Sequence, residues 1–368
     1  MTAPLYRTAF AADHQQPVPL SRRPTVSVVV PCYNYGHFLA DCVASIVNQP
    51  DVETDVLIID DCSPDGSGQV AEQLAAEHTN VRAIRHERNR GHIATYNEGL
   101  PSMTGDYLVL LSADDLLAPG SLARATALME ANPSVGMVYG NPLTFLDAPP
   151  PPDTTVTGWS VWSGRDWIER QFRRGMSIVY SPEAVVRTEV HREVGWYKPE
   201  LPHSGDLELW LRIAASADIG RVNGADQAYR REHPGSMMHT SYGTVLIDLK
   251  TRDEAYTEFL ATAGSSLPDA DRLRALANRR MADEALDWVC RLLSRPPAEQ
   301  DAATRTEIEQ CVEFAVQIYP EHRTLAAWRE YRMLTSGSGL APLLRPVHRL
   351  RRDIKGRLKW QRWHRIGL

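Results

Sequence analysis

The sequence lacks a GxGxxG after its first strand pattern, so the fingerprint of dinucleotide dehydrogenases is absent. Cysteine is scarce. The five, at positions 32, 42, 62, 290 and 311, are odd in number and form no CxxC pair. That excludes a disulfide framework and reads as free thiols in a reducing cytoplasm. No apolar run reaches the length of a membrane span. The N-terminus has no basic start followed by an apolar core, so no secretory signal is read there. Nor is there an internal repeat.

Charge is unevenly placed. The formal net charge is −6, yet residues 341–368 hold nine Lys/Arg against one acid, Asp353. That balance of +8 leaves −14 on residues 1–340. An acidic body argues against nucleic acid as a partner. In the tail, Leu343, Val347, Leu350, Ile354 and Leu358 recur every three or four residues among the basic side chains. This spacing predicts an amphipathic helix for an anionic membrane surface, with Trp360 and Trp363 suited to the headgroup region.

What is present is a series of buried strand patterns that end in carboxylates. Tyr107–Leu111 is a continuous apolar run followed by Asp114 and Asp115. Val26–Val30 ends at Pro31, and Val56–Ile59 ends at Asp60 and Asp61. Helical stripes lie between them, as in Phe38, Val43, Ile46 and Val47. Strands alternating with helices predict an α/β fold with a mainly parallel sheet. Open sheets of this kind bind ligands at the carboxyl edge of their strands. Two adjacent carboxylates at such an edge call for a positive partner. A divalent cation shared with a diphosphate fits, because Mg²⁺ takes one or two carboxylates plus phosphates.

Six segments then occur in a familiar order: VSVVVPCYN at 26–34, LIIDDCSPDGS at 57–67, NRGHIATYNEG at 89–99, DYLVLLSADD at 106–115, SGDLELWLRIA at 204–214 and YRREHPGS at 229–236. Together they resemble the family 2 glycosyltransferases, whose fold is GT-A, a Rossmann-like nucleotide-binding domain with an acceptor half. The resemblance implies a domain over 25–240, with a nucleotide half at 25–147 and an acceptor half at 154–240. Residues 1–24 read as a disordered leader, 241–335 as a helical extension and 340–368 as the basic tail helix.

The resemblance also implies roles. Pro31, Tyr33 and Asn34 would lie against the nucleoside. One of Asp60 and Asp61 would contact base or ribose, and Asn89, Gly91 and Asn97 would shape the nucleotide pocket. Asp114, Asp115 and His233 would hold Mn²⁺ or Mg²⁺ at the donor diphosphate. Asp206 would be the general base of an inverting transfer from a nucleotide-diphosphate sugar to a hydroxyl of a glycan, a lipid-linked acceptor or a metabolite. The expected location is cytoplasmic, peripheral on the inner face of the cell membrane. Two rivals are a nucleotidyltransferase, which would carry a Gly-rich basic loop where PCYNYGHF stands, and a non-catalytic nucleotide-sugar-binding member. Ser112, standing where the metal motif usually begins with Asp, is the one hint of the second.

Overall fold

A computed structural model describes residues 12–236, 244–295 and 301–336. These form two units, one of residues up to 168 with 177–236, the other of residues 169–176 with those from 244 onward. The basic tail and the start of the leader lie outside the described residues. Asp13–Gln15 is a strand, β1, so the expectation of a disordered leader over 1–24 fails there. Its backbone pairs antiparallel with Trp159–Val161, which gives an otherwise polar segment hydrogen-bond partners.

The first unit is built on one mixed sheet. Four parallel strands make its nucleotide half: β2 (Thr25–Cys32), β3 (Glu53–Asp60), β4 (Val81–Arg85) and β5 (Tyr107–Leu110), in the order β4-β3-β2-β5. Val28, Val29 and Val30 are fully buried, as are Ile58 and Ile59. β-Branched side chains suit a strand covered on both faces. Burying each such side chain stabilises the fold by about 1.5–3 kcal/mol. Helices α1 (Gly36–Val47), α2 (Ser67–Glu77) and α3 (His92–Ser102) connect the strands. In α1 the buried residues Leu39, Cys42, Val43 and Ile46 form one helical stripe. Gly99 of α3 lies so close to the sheet that a Cβ would sit 2.5 Å from Val29 Cγ1 and 2.9 Å from Ile59 Cδ1.

The other half adds β6 (Leu116–Leu117), α4 (Ser121–Ala131), β7 (Val135–Phe145), β8 (Gly158–Trp162), α5 (Gly164–Arg174), β9 (Val185–Arg187), α6 (Thr188–Val194), α7 (Gly205–Ser216) and β10 (Asp218–Arg231). The sheet continues from β5 through β9, β7, β10 and β8 to β1, and β6 pairs with β10. β9 runs antiparallel to both β5 and β7, so the sheet is mainly but not wholly parallel.

The second unit is helical. It contains α8 (Val245–Ala261), α9 (Ala270–Leu293), α10 (Ala302–Ile318) and α11 (Ala326–Thr335). Leu249, Tyr256 and Phe259 of α8 are buried, and so are Met281, Leu286 and Val289 of α9. The Phe172 ring packs 4.5 Å from that of Tyr256. Arg252, itself buried, bonds the Gly175 carbonyl at 2.7 Å and pairs with Glu284 at 3.1 Å.

Candidate active site

Three strand ends converge at the carboxyl edge of β2, β3 and β5. After β5 the backbone still pairs with β2, Leu111 N–H donating to Val29 O at 3.0 Å and Ala113 N–H to Pro31 O at 3.3 Å. β6 then pairs with β10. Asp114 and Asp115 are therefore bracketed between two ladders, which fixes their backbone.

The two carboxylates have different surroundings. Asp115 Oδ1 accepts the backbone N–H of Arg231 at 2.9 Å. Burial, then the charge of Asp114, raises the Asp115 carboxyl well above the usual carboxylate range. Asp114 Oδ2 lies 3.1 Å from His233 Nε2. Its other oxygen, Oδ1, is buried without a hydrogen-bond partner among the described residues. The expected triad of metal ligands is thus a pair. Asp114 and His233 meet, whereas Asp115 is engaged by the backbone of β10. No group of three or more His, Cys, Asp or Glu side chains arranged for a metal occurs among the described residues. A hard divalent ion fits this pair if phosphate oxygens and water complete its shell, and the orphan Asp114 oxygen is the atom that needs it.

Aromatic rings orient His233. Tyr35 packs edge-on at 5.3 Å and Phe38 at 5.5 Å. Burial and the charges of Asp114 and Asp115 push the Tyr35 hydroxyl up to about 12. Arg231, which reads as a surface charge in sequence, is buried. Its guanidinium lies over the Phe38 and Phe145 rings at 4.3 and 4.5 Å, and its Nε donates to the Asp114 carbonyl at 3.1 Å.

At β2 and β3 the turns are tight. Asn34 and Cys62 adopt left-handed backbone at φ 62° and 61°. Asn tolerates that region better than most side chains. The Asn34 N–H donates to Ser63 Oγ at 2.9 Å, and its buried Oδ1 has no partner among the described residues. Tyr33 stands 45% exposed beside it. Sequence left Asp60 and Asp61 equivalent, and the structure separates them. Asp61 Oδ1 lies 2.7 Å from His86 Nδ1 and accepts from Arg90 N–H at 2.8 Å, and Oδ2 accepts from Gly91 N–H at 2.8 Å. Asp60 keeps a buried Oδ1 without a partner among the described residues, its Oδ2 accepting a long bond from Ser63 N–H at 3.3 Å. Asn89 helps shape the loop, donating to the Asp61 carbonyl at 3.3 Å. Gly91, at φ +83°, caps α3 where a side chain would be strained.

Asn97 reaches a distant segment of the chain. Its amide donates to the Tyr197 carbonyl at 2.7 Å and accepts from the Tyr197 N–H at 3.0 Å. Both of its ends are engaged there, so it ties α3 to the segment leading to Asp206. From the other side Arg212 donates to the carbonyls of Val194 and Trp196 at 2.5 and 2.7 Å.

Asp206 lies in the first turn of α7, beyond the cap position held by Ser204. Its carboxylate is no helix cap, since Oδ2 accepts from the Ser181 hydroxyl at 2.8 Å. Burial raises this carboxyl above the usual range, and the hydroxyls of Ser181 and Tyr197 oppose the rise. Tyr96 connects the two centres. Its ring meets Tyr197 edge-on at 5.3 Å. Its hydroxyl is raised by burial first, then by the charges of Asp206, Asp114 and Asp115. Ser181 and Tyr96 carry no sequence signal of their own, because only the fold brings them to Asp206.

Residues 27–195 match the family described as Glycosyl transferase family 2. The chain carries a family 2 glycosyltransferase domain. It is 31% identical over 109 residues to the uncharacterised glycosyltransferase EpsJ of Bacillus subtilis, covering 30% of this chain and 31% of EpsJ. It is 27% identical over 260 residues to the O-antigen biosynthesis protein RfbC of Myxococcus xanthus, covering 67% of this chain and 19% of RfbC. The chain thus spans well under two thirds of the length of these relatives. Staphylococcus aureus TarS, residues 1–349 solved with UDP-GlcNAc, superposes with a TM-score of 0.54 at 15% identity, over 82% of this chain and 92% of that one. The shared fold is GT-A, with a helical C-terminal part.

Proposed function

We propose that this chain transfers a sugar, with inversion, from a nucleoside-diphosphate donor to a hydroxyl of a glycan, glycolipid or metabolite acceptor. The observation that carries the reading is Asp206, a half-buried carboxylate whose proton affinity desolvation raises. It shares the field at Tyr96 with the Asp114–Asp115 edge. A carboxylate of that kind suits general-base work. Asp206 takes the proton of the acceptor hydroxyl as that oxygen attacks the anomeric carbon in line with the departing diphosphate. Ser181 holds the carboxylate in place, and the Asn97 and Arg212 bonds hold the Tyr197 backbone beside it. Asp60 and Asn34, each with an orphan buried oxygen, would receive donor N–H or O–H groups. Asp114 and His233 would hold Mn²⁺ or Mg²⁺. When bound, that ion supplies positive charge to the leaving diphosphate.

UDP-GlcNAc in TarS makes uridine donors the first to test. The name of RfbC points to cell-envelope polysaccharide as the acceptor class. The test is a hydrolysis and transfer screen over UDP-, dTDP- and GDP-sugars with and without Mn²⁺. Consumption of none of them, together with no nucleotide binding, would overturn the reading.

No helix among the described residues is long and apolar enough to cross a membrane. Residues 341–368, nine basic against one acidic, support a peripheral attachment to an anionic bilayer, where each cation contributes about 1 kcal/mol. Full-length chain should co-sediment with anionic vesicles at low salt, and residues 1–340 should not. Equal sedimentation of the two would remove this attachment.

A further inference from the structure

The loop between β4 and α3 carries Asn89, Arg90 and Gly91, at the nucleotide edge of the proposed site. A buried histidine that the proposed reaction does not use sets this loop. His86 follows β4 directly, its backbone N–H donating to the Asp60 carbonyl at 2.9 Å. The ring is only 5% exposed. Its two nitrogens face two acids from two different elements. Nδ1 lies 2.7 Å from Asp61 Oδ1 at the end of β3, and Nε2 lies 3.4 Å from Glu98 Oε2 on α3. Glu98 in turn pairs with the Arg90 guanidinium, and Asp61 accepts the Arg90 and Gly91 amides. The contacts close on themselves, from Asp61 through His86, Glu98 and Arg90 back to Asp61.

A closed circuit of this kind over-determines a short loop. Asp61 alone carries two backbone amides of it, and among the described residues only His86 restrains the Asp61 carboxylate by a side chain. Without that bond the carboxylate is held by the two loop amides alone, and nothing on β4 fixes the acceptor that those amides share. A loop held in its binding geometry beforehand loses no further freedom when ligand arrives, so the circuit acts on affinity.

We propose that His86 is a positioning residue for the nucleotide donor, acting through Asp61 on the loop at 89–91. The proposal rests on the donor site described above. Three variants test it. In His86→Asn the side-chain amide nitrogen takes the place of Nδ1 and keeps the Asp61 bond. In His86→Gln the amide reaches toward Glu98 instead, and His86→Ala keeps neither.

The assay titrates UDP, dTDP and GDP with Mn²⁺, adopts the nucleotide that wild type binds, and follows donor KM and kcat for the matching sugar. Melting curves establish which variants fold. We expect His86→Asn to bind within about threefold of wild type. His86→Ala and His86→Gln should bind about tenfold more weakly, a change of 1.4 kcal/mol. Donor KM should rise by the same factor, with kcat at saturating donor within about threefold. Equal affinity of the Asn and Gln variants would overturn the proposal. So would a fall in kcat at unchanged KM. If His86→Ala does not fold, the Asn–Gln comparison decides alone. Wild type that binds no nucleotide would instead overturn the donor site, and this proposal with it.

Discussion

Asp206→Asn separates catalysis from binding and from folding. The amide keeps the shape of the side chain, and its oxygen still accepts the Ser181 hydroxyl that now lies 2.8 Å from Oδ2. What disappears is the base. Removing a positioned general base lowers turnover about 10²–10⁴-fold. At 1.36 kcal/mol per decade this is about 3–5.5 kcal/mol of barrier. Donor affinity should hold, because the groups that bond Asp206 are not those that bond Asp60, Asp61 or the loop at 89–91. Stability should move the other way. Burial raises the folded Asp206 carboxyl above its ordinary value. A group shifted in that direction stabilises fully only below its unfolded pKa, about 3.9, and this contribution is lost as pH rises through the raised folded value. At pH 8 the ionised carboxylate therefore weighs against the fold, and the neutral amide relieves it. The variant should melt at or above wild type at pH 8, and the advantage should shrink toward pH 5. Nucleotide release, donor titration and melting at the two pH values measure all three effects. A collapse of donor affinity alongside the rate would make Asp206 a nucleotide ligand. A lower melting point at pH 8 would refute the burial argument.

Ser181→Ala removes a hydroxyl that holds the Asp206 carboxyl down, so the acid limb of the pH–rate profile should move to higher pH; an unmoved limb would count against Asp206 as base. Asp114→Asn should remove most activity, since charge on the leaving diphosphate is worth several kcal/mol, and Mn²⁺ should no longer tighten nucleotide binding. Full activity of that variant in EDTA would exclude the metal role. Asp60→Asn should weaken nucleotide binding with little change in melting, whereas Asp61→Asn leaves the two loop amides and the buried His86 poorly matched and should lower stability by about 1–3 kcal/mol; chemical denaturation and titration distinguish the two. Gly99→Ala forces a methyl group against Val29 and Ile59 and should destabilise by about 1–3 kcal/mol, read as a fall in the denaturation midpoint.

The strands at 25–32, 53–60 and 107–110 were legible because runs of Val and Ile buried on both faces leave one periodicity to read. The helix at 36–47 was legible for the same kind of reason, a single apolar stripe. β1 was not. A three-residue polar strand has no pattern of its own, and its existence depends on the free edge of β8. The same holds for β9, three residues that sit antiparallel between β5 and β7 and depend on both for their pairing.

In the site, positions that follow a buried strand could be named, but their partners could not. Asp60 and Asp61 are chemically identical and adjacent, so sequence offers nothing to rank them. Chain alternation aims one at His86 and the 89–91 amides and leaves the other with an orphan oxygen. Asn97 misled only as to its partner, because the fold alone shows a segment 100 residues later that bonds both its donor and its acceptor. Arg231 misled in the opposite direction. A run of Arg230, Arg231 and Glu232 reads as solvated surface, yet β10 alternates, so Arg231 points inward between two phenyl rings while Arg230 stacks on Tyr180. The inward guanidinium bonds the Asp114 carbonyl and the amide of the same residue bonds Asp115. One residue of β10 thus fixes the Asp115 carboxylate and the Asp114 backbone at the edge of β5, and its own strand leads on to His233, the partner of the Asp114 carboxylate. The pairing of a carboxylate with a histidine 119 residues away is for this reason a property of the β6–β10 ladder, which neither segment encodes alone.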